Sequence, residues 1–192
     1  MLDALTHLSN RVIQELEEAQ KQLEDQSHRD FLTGLYNRRY FYEVTQNFVN
    51  IFKREKKPFS IISIDIDKFK SINDTYGHSV GDMVIKNLAD ILVCKTRKSD
   101  IVSRFGGEEF IVFLPSTEVS GASEVAEKLR KSVETIPVES DNGEPISFTI
   151  SLGVDQISEG DNGIDDVLER VDKALYKAKE SGRNRVVLVS DL

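Results

Sequence analysis

Four carboxylates lie beside apolar runs that are predicted to be buried strands, where a charged group is energetically costly. Asp65 and Asp67 end an apolar run over residues 59–66 that predicts a buried strand. Glu108 and Glu109 lie between a Gly-Gly pair and a second apolar run. A carboxylate in such surroundings is unfavourable unless a positive group binds it. A metal ion carrying phosphates is the candidate we favour.

The Gly106-Gly107 pair predicts a tight hairpin of type I′ or II′, because these turns need positive φ. If the first strand lies beside this hairpin, Asp65 and Glu108 converge on one side of the sheet. With the carbonyl at the end of the strand they form an oxygen set that suits magnesium and nucleotide phosphates. Two such ions activate an attacking oxygen and stabilise a leaving one. Asp67 has a simpler interpretation, as the cap of the following helix.

Polar residues between the two acidic pairs have the groups needed to recognise guanine. Asn73 and Asp82 offer the donors and acceptors that match a guanine edge, and an Asp accepts from N–H groups that adenine lacks. A polar loop with helix caps explains the same residues equally simply. Lys179 and Arg183 flank a predicted helix end, where complementing the helix dipole is an alternative to binding phosphate.

Composition excludes several classes of function. The 192 residues carry 33 acidic and 25 basic side chains, a net charge of −8 that disfavours nucleic acids and anionic membranes as main partners. The single Cys94 excludes an intrachain disulfide, and three scattered histidines do not suggest zinc. No apolar run approaches the ~18 residues of a membrane span. We therefore expect a soluble, cytoplasmic chain.

The elements that position these residues follow from apolar periodicity. Strands are predicted at 59–66, on both sides of the Gly-Gly pair, at 146–154 and at 185–189. Helices are predicted at 39–57, 68–78, 84–92, 119–136 and 164–178, with Gly182 ending the last. From residue 59 on, the order β, α, α, β, β, α, β, α, β indicates an α+β fold with a mostly antiparallel sheet.

Residues 1–29 form a separate segment with apolar residues at 3-4 spacing over nearly four heptads. This narrow seam favours a parallel, dimerising coiled coil. The alternative is an amphipathic helix that lies on its own domain. The predicted division is a helix over 1–29 and a second domain over 30–192.

Four stretches together resemble the GGDEF domain, the family of bacterial diguanylate cyclases. They are Asp30 to Arg39 (DFLTGLYNRR), Asp65 to Asp82 (DIDKFKSIND, then GH and GD), Gly106 to Phe110 (GGEEF), and Tyr176 to Asn184 (YKAK, then GRN). The motifs occur in order and at suitable spacing from residue 30 to about 189. The resemblance implies a βαββαβ core similar to nucleotidyl cyclases and polymerase palm domains.

The resemblance also implies that two GTP molecules condense into cyclic di-GMP across a homodimer, with Mg²⁺ or Mn²⁺ as cofactor. By motif matching, Asp65, the Ile66 carbonyl and Glu108 hold metal, and the catalytic residues are Glu108, Glu109 and Lys70. The implied substrate-binding residues are Phe69, Lys70, Asn73, His78, Asp82, Gly106, Gly107, Lys179 and Arg183.

Arg97 and Asp100 resemble the family's inhibitory Arg-x-x-Asp site for the product. Arg grips the O6/N7 edge of guanine, and Asp takes the N–H edge. A surface salt bridge is the alternative interpretation. A second basic contact is expected from Lys128 or Arg130.

Two other functions remain open at this point. The chain is alternatively a non-catalytic receptor for GTP or cyclic di-GMP that signals through its N-terminal helix. A nucleotidyl cyclase or polymerase with a different product is suggested by the implied fold alone.

Overall fold

The computed structural model describes residues 13–14, 27–139, 143 and 145–192. The coiled coil predicted for residues 1–29 therefore lies almost entirely outside the described residues. The described elements are, in order, β1 (Tyr36–Asn37), α1 (Arg38–Glu55), β2 (Phe59–Ile66), α2 (Phe69–Tyr76), α3 (His78–Lys95), β3 (Ile101–Gly106), β4 (Glu109–Pro115), α4 (Val119–Thr135), β5 (Val138–Glu139), β6 (Pro145–Ile146), β7 (Ile150–Gln156), α5 (Ile164–Glu180), β8 (Val186–Leu188) and a 3₁₀ helix (Val189–Asp191).

One sheet organises the chain, with the strand order β1-β3-β4-β2-β7-β8. The central pairings, β3 with β4, β4 with β2 and β2 with β7, are antiparallel. The edge strands β1 and β8 pair in parallel with β3 and β7. The predicted α+β fold with a mostly antiparallel sheet is confirmed.

Strand β2 lies at the centre of the sheet, and all of its residues are buried. Alternate side chains enter two separate apolar clusters, because successive residues of a strand point to opposite faces. Ile62 and Ile64 pack with residues of α3 and α4, whereas Phe59 and Ile61 pack with residues of α1 and α5. Burying each such side chain contributes about 1.5–3 kcal/mol. By this alternation, Asp65 at the end of β2 falls on the face covered by α5.

Helix α5 lies unusually close to the sheet at Gly153 on β7. A Cβ atom at this position would stand 2.1 Å from the Val171 carbonyl oxygen and 2.5 Å from the Leu175 nitrogen. Ser63 on the neighbouring strand donates a hydrogen bond to Asp172 of the same helix at 3.1 Å. These contacts fix α5 over the end of β2 where the predicted site lies.

Two predicted elements differ from the structure. The strand predicted at 146–154 is divided, because Pro145–Ile146 pairs with Val138–Glu139 in a separate ribbon and β7 begins at Ile150. The loop predicted after α2 consists of Gly77 alone, and α3 already begins at His78. Gly77 has φ of 88°, which glycine adopts at little cost and which allows so short a junction.

The end of α5 agrees with the prediction. Gly182 follows the helix with φ of 113°, and the Arg183 N–H donates to the Ala178 carbonyl at 3.0 Å. This is the arrangement of a glycine-terminated helix. Among the helices of the described residues, none has the length and apolar character to cross a bilayer.

Candidate active site

The β3–β4 hairpin has its turn one residue later than predicted. Gly106 pairs with Glu109, so the central turn residues are Gly107 and Glu108 rather than the two glycines. A register shift between Arg104 and Gly106 displaces the turn. Gly107 has φ of 47° and Gly106 remains in the strand. Glu108 is consequently presented at the tip of the hairpin, and Glu109 begins β4.

The tip is anchored by Arg104. The Arg104 guanidinium donates to the Gly107 carbonyl at 3.0 Å from Nε and 2.8 Å from Nη2, and its Nη1 lies 3.0 Å from Asp30 Oδ1. Burial alone would raise the pKa of Asp30, but hydrogen bonds from Thr33 and Arg104 outweigh it and lower the pKa. Sequence reasoning gave neither Asp30 nor Arg104 a role, although Asp30 opens the first quoted motif and Arg104 lies two residues before the Gly106 to Phe110 motif.

Asp65 lies against the hairpin, as predicted. It is directly opposite Glu109 in the β2–β4 ladder, and the Ile66 N–H donates to the Glu108 carbonyl at 3.4 Å. Asp65 is only 6% exposed. Burial raises the pKa of Asp65 to about 6 against the opposing effect of Lys179, and the negative charges of Glu108 and Glu109 add to the rise. The structure therefore brings these three carboxylates into one patch.

Lys179 supplies the positive charge of this patch. Its Nζ lies 2.8 Å from Asp65 Oδ2. Sequence reasoning predicted Lys179 at the substrate phosphates and did not foresee the ion pair. The last turn of α5 thus delivers an ammonium group to the carboxylate predicted to hold metal.

Asp67 does not cap α2, and that prediction is wrong. The N-cap of α2 is Lys68, with φ of 54° and no side-chain cap. Asp67 instead accepts hydrogen bonds from Ser151 Oγ at 2.6 Å, Thr149 Oγ1 at 2.7 Å and the Asn184 N–H at 3.0 Å. The Asp67 N–H also continues the ladder to the Thr149 carbonyl. Asp67 therefore ties the end of β2 to β7 and to the loop after α5.

The α2–α3 junction brings together the residues predicted to read guanine. A Cβ at Gly81 would lie 1.9 Å from Asn73 Oδ1 and 3.2 Å from Phe69 Cζ, so both side chains pack against this glycine. Asn73 Oδ1 is buried and accepts no hydrogen bond within the part of the chain that the structure describes. Asp82 follows Gly81 and is exposed.

The other predicted substrate residues lie around this junction and at the end of α5. Lys70 is exposed in the first turn of α2, and His78 is exposed at the start of α3. The Phe69 ring packs against the core, which leaves its backbone N–H as the group available to a substrate. Arg183 is exposed after Gly182 and has φ of 63°.

A cavity of about 620 Å³ is separate from the acidic patch. It is lined by Lys68 just before α2, by Tyr76 at the end of α2, and by the loop from Gly182 to Asn184. Neither Asp65 nor Glu108 lines it. Glu109 is exposed and Glu108 half-buried, so the acidic patch is an open surface at the hairpin tip.

Arg97 and Asp100 form a turn on the other side of the domain. The Asp100 N–H donates to the Arg97 carbonyl at 3.0 Å, and the Arg97 N–H donates to Asp100 Oδ2 at 2.8 Å. The Asp100 carboxylate thus accepts a hydrogen bond from the backbone N–H of Arg97, while the Arg97 side chain is exposed. Cavities of about 400 Å³ and 310 Å³ adjoin this turn, and Lys128 lines the smaller one.

Arg130, the alternative second contact, is engaged elsewhere. Its guanidinium bonds Glu127 and Glu134 at 2.8 Å each and donates to Asn184 Oδ1 at 2.8 Å. These interactions, first of all the hydrogen bond to Glu127, raise the pKa of Arg130. Of the two candidates for the second basic contact, the engaged Arg130 is therefore the less suitable, and Lys128 is the one that we retain.

The donor set at the hairpin fits a divalent cation that is shared with phosphates. Among the described residues, no group of three or more His, Cys, Asp or Glu side chains forms a self-sufficient metal cage. Mg²⁺ is usually held by one or two carboxylates together with substrate phosphates and water. Asp65, Glu108 and the Ile66 carbonyl match that smaller set. The Lys179 ammonium on Asp65 indicates that this position favours a positive charge.

The family model for "Diguanylate cyclase, GGDEF domain" matches residues 27–185. The chain belongs to the GGDEF family. The resemblance read from the motifs of this GGDEF chain is thereby confirmed.

Curated relatives carry the family's activity in their names. Diguanylate cyclase DgcM of Escherichia coli is 45% identical over 175 residues, which cover 91% of this chain and 42% of that protein. Diguanylate cyclase A of Treponema denticola is 44% identical over 170 residues, which cover 87% of this chain and 46% of that protein. The GGDEF chain thus spans less than half the length of these relatives.

A solved structure has a similar fold. The coiled coil and GGDEF domain of DgcB from Caulobacter crescentus, in complex with c-di-GMP, superposes with a TM-score of 0.90 at 29% identity. The match covers 97% of this chain and 98% of that one.

Proposed function

We propose that this GGDEF chain is a diguanylate cyclase that condenses two GTP molecules into cyclic di-GMP. Each 3′-hydroxyl oxygen forms a bond to the α-phosphorus of the other GTP, and pyrophosphate leaves from each. The observation that carries the proposal is that the carboxylates of Asp65, Glu108 and Glu109 lie together at the end of β2. The names of the relatives, which are diguanylate cyclases, support the same activity.

Asp65, Glu108 and the Ile66 carbonyl are the residues that hold the cation, which is Mg²⁺ or Mn²⁺. When bound, the cation supplies positive charge to the transferring phosphoryl oxygens. Glu109 faces Asp65 across the ladder and assists the 3′-hydroxyl or the cation. Phosphoryl transfer depends on positioning and charge neutralisation rather than on covalent chemistry, and this patch is suited to both.

The phosphates of GTP are proposed to lie at the start of α2. The N–H groups of Phe69 and Lys70 lead this helix, and helix N-termini favour anions. The side chains of Lys70, Lys179 and Arg183 add cations, and Gly106 and Gly107 leave the hairpin without side chains on the approach to the phosphates. Exposed positions for Lys70 and Arg183 support this arrangement.

Guanine is proposed to lie at the α2–α3 junction, where Asn73 and Asp82 read its edge and His78 borders the pocket. The buried Asn73 Oδ1 has no hydrogen-bond partner among the described residues. This supports a ligand contact there, because such an atom is costly to leave unsatisfied. Asp82 accepts from the N–H groups that distinguish guanine from adenine.

The reaction needs two domains, and the chain is proposed to act as a homodimer. Each acidic patch is open at the hairpin tip, which leaves room for the GTP of a partner domain. A coiled coil over residues 1–29 would hold two domains at high effective concentration. The fold match to a DgcB structure that includes a coiled coil supports this segment's role.

Product inhibition is proposed at the turn of Arg97 and Asp100, with Lys128 as a further contact. The exposed Arg97 side chain and the adjoining cavities support a ligand site there. The structure of DgcB in complex with c-di-GMP supports the choice of ligand.

Turnover with GTP tests the proposal directly. The protein is incubated with GTP and MgCl₂, and the nucleotides are separated by chromatography. Cyclic di-GMP should form and should vanish in Glu108→Ala, while Glu118→Ala, which removes an exposed carboxylate at the start of α4, should retain activity. Binding of GTP or cyclic di-GMP without turnover, even in a forced dimer, would favour the receptor function instead.

A further inference from the structure

We infer that the Lys179 ammonium is an internal counter-ion that keeps divalent cations off Asp65 until a triphosphate draws it away. The metal and the nucleotide then bind cooperatively, and the protein binds the metal alone only weakly. This inference rests on the proposed function, because it concerns the same metal-holding carboxylate.

The first observation is the contact itself. Lys179 Nζ lies 2.8 Å from Asp65 Oδ2, and the side chains are 32% and 9% exposed. A buried carboxylate needs a positive partner, and Asp65 has one from its own chain. The ammonium therefore occupies one of the oxygens that a metal ion would use, and both cations cannot stay on that oxygen.

The second observation is that Lys179 can leave without moving the fold. Its neighbour Ala178 is fully buried, so the backbone of α5 is fixed at this point. The ammonium is carried by a flexible four-carbon stem, which lets the charge move by several ångströms. The half-exposed Lys179 side chain can thus reach toward solvent while the helix remains in place.

The third observation is that the proposed phosphate position, to which the Lys179 ammonium would move, carries other cations. Lys70 at the start of α2 and Arg183 just after α5 are both exposed. Asp67 holds the loop with Arg183 in place by accepting the Asn184 N–H at 3.0 Å. A triphosphate bound among these groups offers Lys179 several negative oxygens in exchange for a single carboxylate.

This exchange couples the two ligands. If the nucleotide raises the affinity for metal by some factor, the metal raises the affinity for nucleotide by the same factor. Removal of the ammonium should strengthen metal binding in the absence of nucleotide and weaken the coupling.

Mn²⁺ binding without turnover tests the inference. Free Mn²⁺ is followed by electron paramagnetic resonance during titration of the wild type, Lys179→Met and Lys177→Met. Lys177→Met is the control, because it removes the same charge from an exposed position on the same helix. Lys179→Met should bind Mn²⁺ about tenfold more tightly than the wild type, and Lys177→Met within about twofold. Equal affinities of the wild type and Lys179→Met would overturn the inference.

Two further measurements complete the test. With a GTP analogue in which a methylene group replaces the α–β bridging oxygen, the wild type should gain about tenfold in Mn²⁺ affinity and Lys179→Met clearly less. Lys179→Arg keeps the positive charge and tests the inference even if the methionine variant fails to fold. It should bind Mn²⁺ alone as weakly as the wild type. Tight binding by Lys179→Arg would contradict the inference.

Asp65→Asn separates this inference from the proposed function. In the Lys179→Met background it should abolish the added Mn²⁺ affinity. If the Mn²⁺ site persists without Asp65, the metal assignment in the proposed function fails as well. If wild-type Asp65 already binds Mn²⁺ tightly without nucleotide, the counter-ion role of Lys179 alone is wrong.

Discussion

Asp67 shows how a single buried carboxylate holds separate parts of the site together. It accepts hydrogen bonds from Ser151, Thr149 and the Asn184 N–H, so it connects β2, β7 and the loop that carries Arg183. Hydrogen bonds to a charged acceptor are about twice as strong as neutral ones. An asparagine at position 67 would place its own N–H donors against groups that also donate hydrogen bonds.

We expect Asp67→Asn to lower the free energy of unfolding by about 2 kcal/mol, because charged hydrogen bonds are replaced by poorer ones. It should also raise the KM for GTP more than it lowers kcat, since the loop with Arg183 loses its anchor. Urea denaturation and steady-state kinetics measure the two effects. Asp74→Asn, at an exposed position of α2, is the control and should change neither. A wild-type KM in Asp67→Asn would contradict the anchoring role.

Gly81 makes room for the Asn73 side chain. A Cβ here would stand 1.9 Å from Asn73 Oδ1, the movable end of that side chain. We expect Gly81→Ala to displace Asn73 and to reduce the preference for GTP over ATP by roughly tenfold, because a hydrogen-bond contact to the base is lost. Stability should change little.

Competition binding of GTP and ATP measures this preference. Gly121→Ala adds the same methyl group in α4, where Thr117 Cγ2 at 3.3 Å is the contact among the described residues. It should leave the preference unchanged. An unaltered preference for GTP over ATP in Gly81→Ala would contradict the proposed contact between Asn73 and the base.

At the level of secondary-structure elements, the hairpin depends on Arg104. This side chain joins the Gly107 carbonyl at the turn to Asp30 in the segment before β1. Both side chains of the pair are largely buried, at 11% and 17% exposure. Removal of one partner from a buried pair leaves an uncompensated charge. Arg104 is therefore expected to fix the position of Glu108 as well as to stabilise the fold.

We predict that Arg104→Met lowers the free energy of unfolding by about 3 kcal/mol at neutral pH. The lowered pKa of Asp30 adds a pH signature. A carboxyl group with a lowered folded-state pKa stabilises the protein above its unfolded pKa, and this contribution is lost as the pH falls through the folded-state value. The difference between wild type and Arg104→Met should therefore shrink as the pH falls below 3.8, the ordinary pKa of an Asp side chain.

Urea denaturation of both proteins at neutral and acid pH measures that difference. Arg54→Met removes an arginine whose partner Glu55 is its own sequence neighbour on the surface, and it should cost little at either pH. A difference that stays constant with pH would show that Asp30 is not the partner responsible.

The sequence predicted those parts of the fold and site that depend on local patterns. Asp65 at the end of a buried strand, the Gly-Gly hairpin and the glycine stop of α5 each follow from neighbouring residues. The partners of Asp67 could not be predicted, because Thr149 and Ser151 lie more than 80 residues away and meet it only through the register of β2 with β7. The Lys179–Asp65 pair depends in the same way on how closely α5 packs at Gly153.

At the scale of the whole molecule, the proposed reaction depends on the meeting of two domains. The apolar seam of residues 1–29 is expected to bring them together. We predict that Leu16→Glu combined with Leu23→Glu shifts the protein from dimer to monomer, because charges enter the seam. Activity per chain should then fall most at low protein concentration. Sedimentation velocity measures the association, and a dimer that persists in the double variant would refute the role of the seam.

Regulation is the second property of the whole molecule. We predict that Arg97→Ala retains turnover at low product but loses most of the inhibition by cyclic di-GMP, because the guanidinium that grips the product is gone. Initial rates at rising cyclic di-GMP concentration measure the effect. Lys98→Ala, which removes the neighbouring exposed cation, should remain inhibited. Inhibition of Arg97→Ala equal to that of the wild type would place the product elsewhere.

The proposed mechanism depends on where the metal ion binds, and anomalous diffraction locates that ion. Crystals grown with Mn²⁺ and the methylene-bridged GTP analogue should show a manganese peak bounded by Asp65, the Ile66 carbonyl and Glu108, with the phosphates at the start of α2. A nucleotide bound with no manganese at Asp65 and Glu108, or with its phosphates away from the hairpin, would contradict the account.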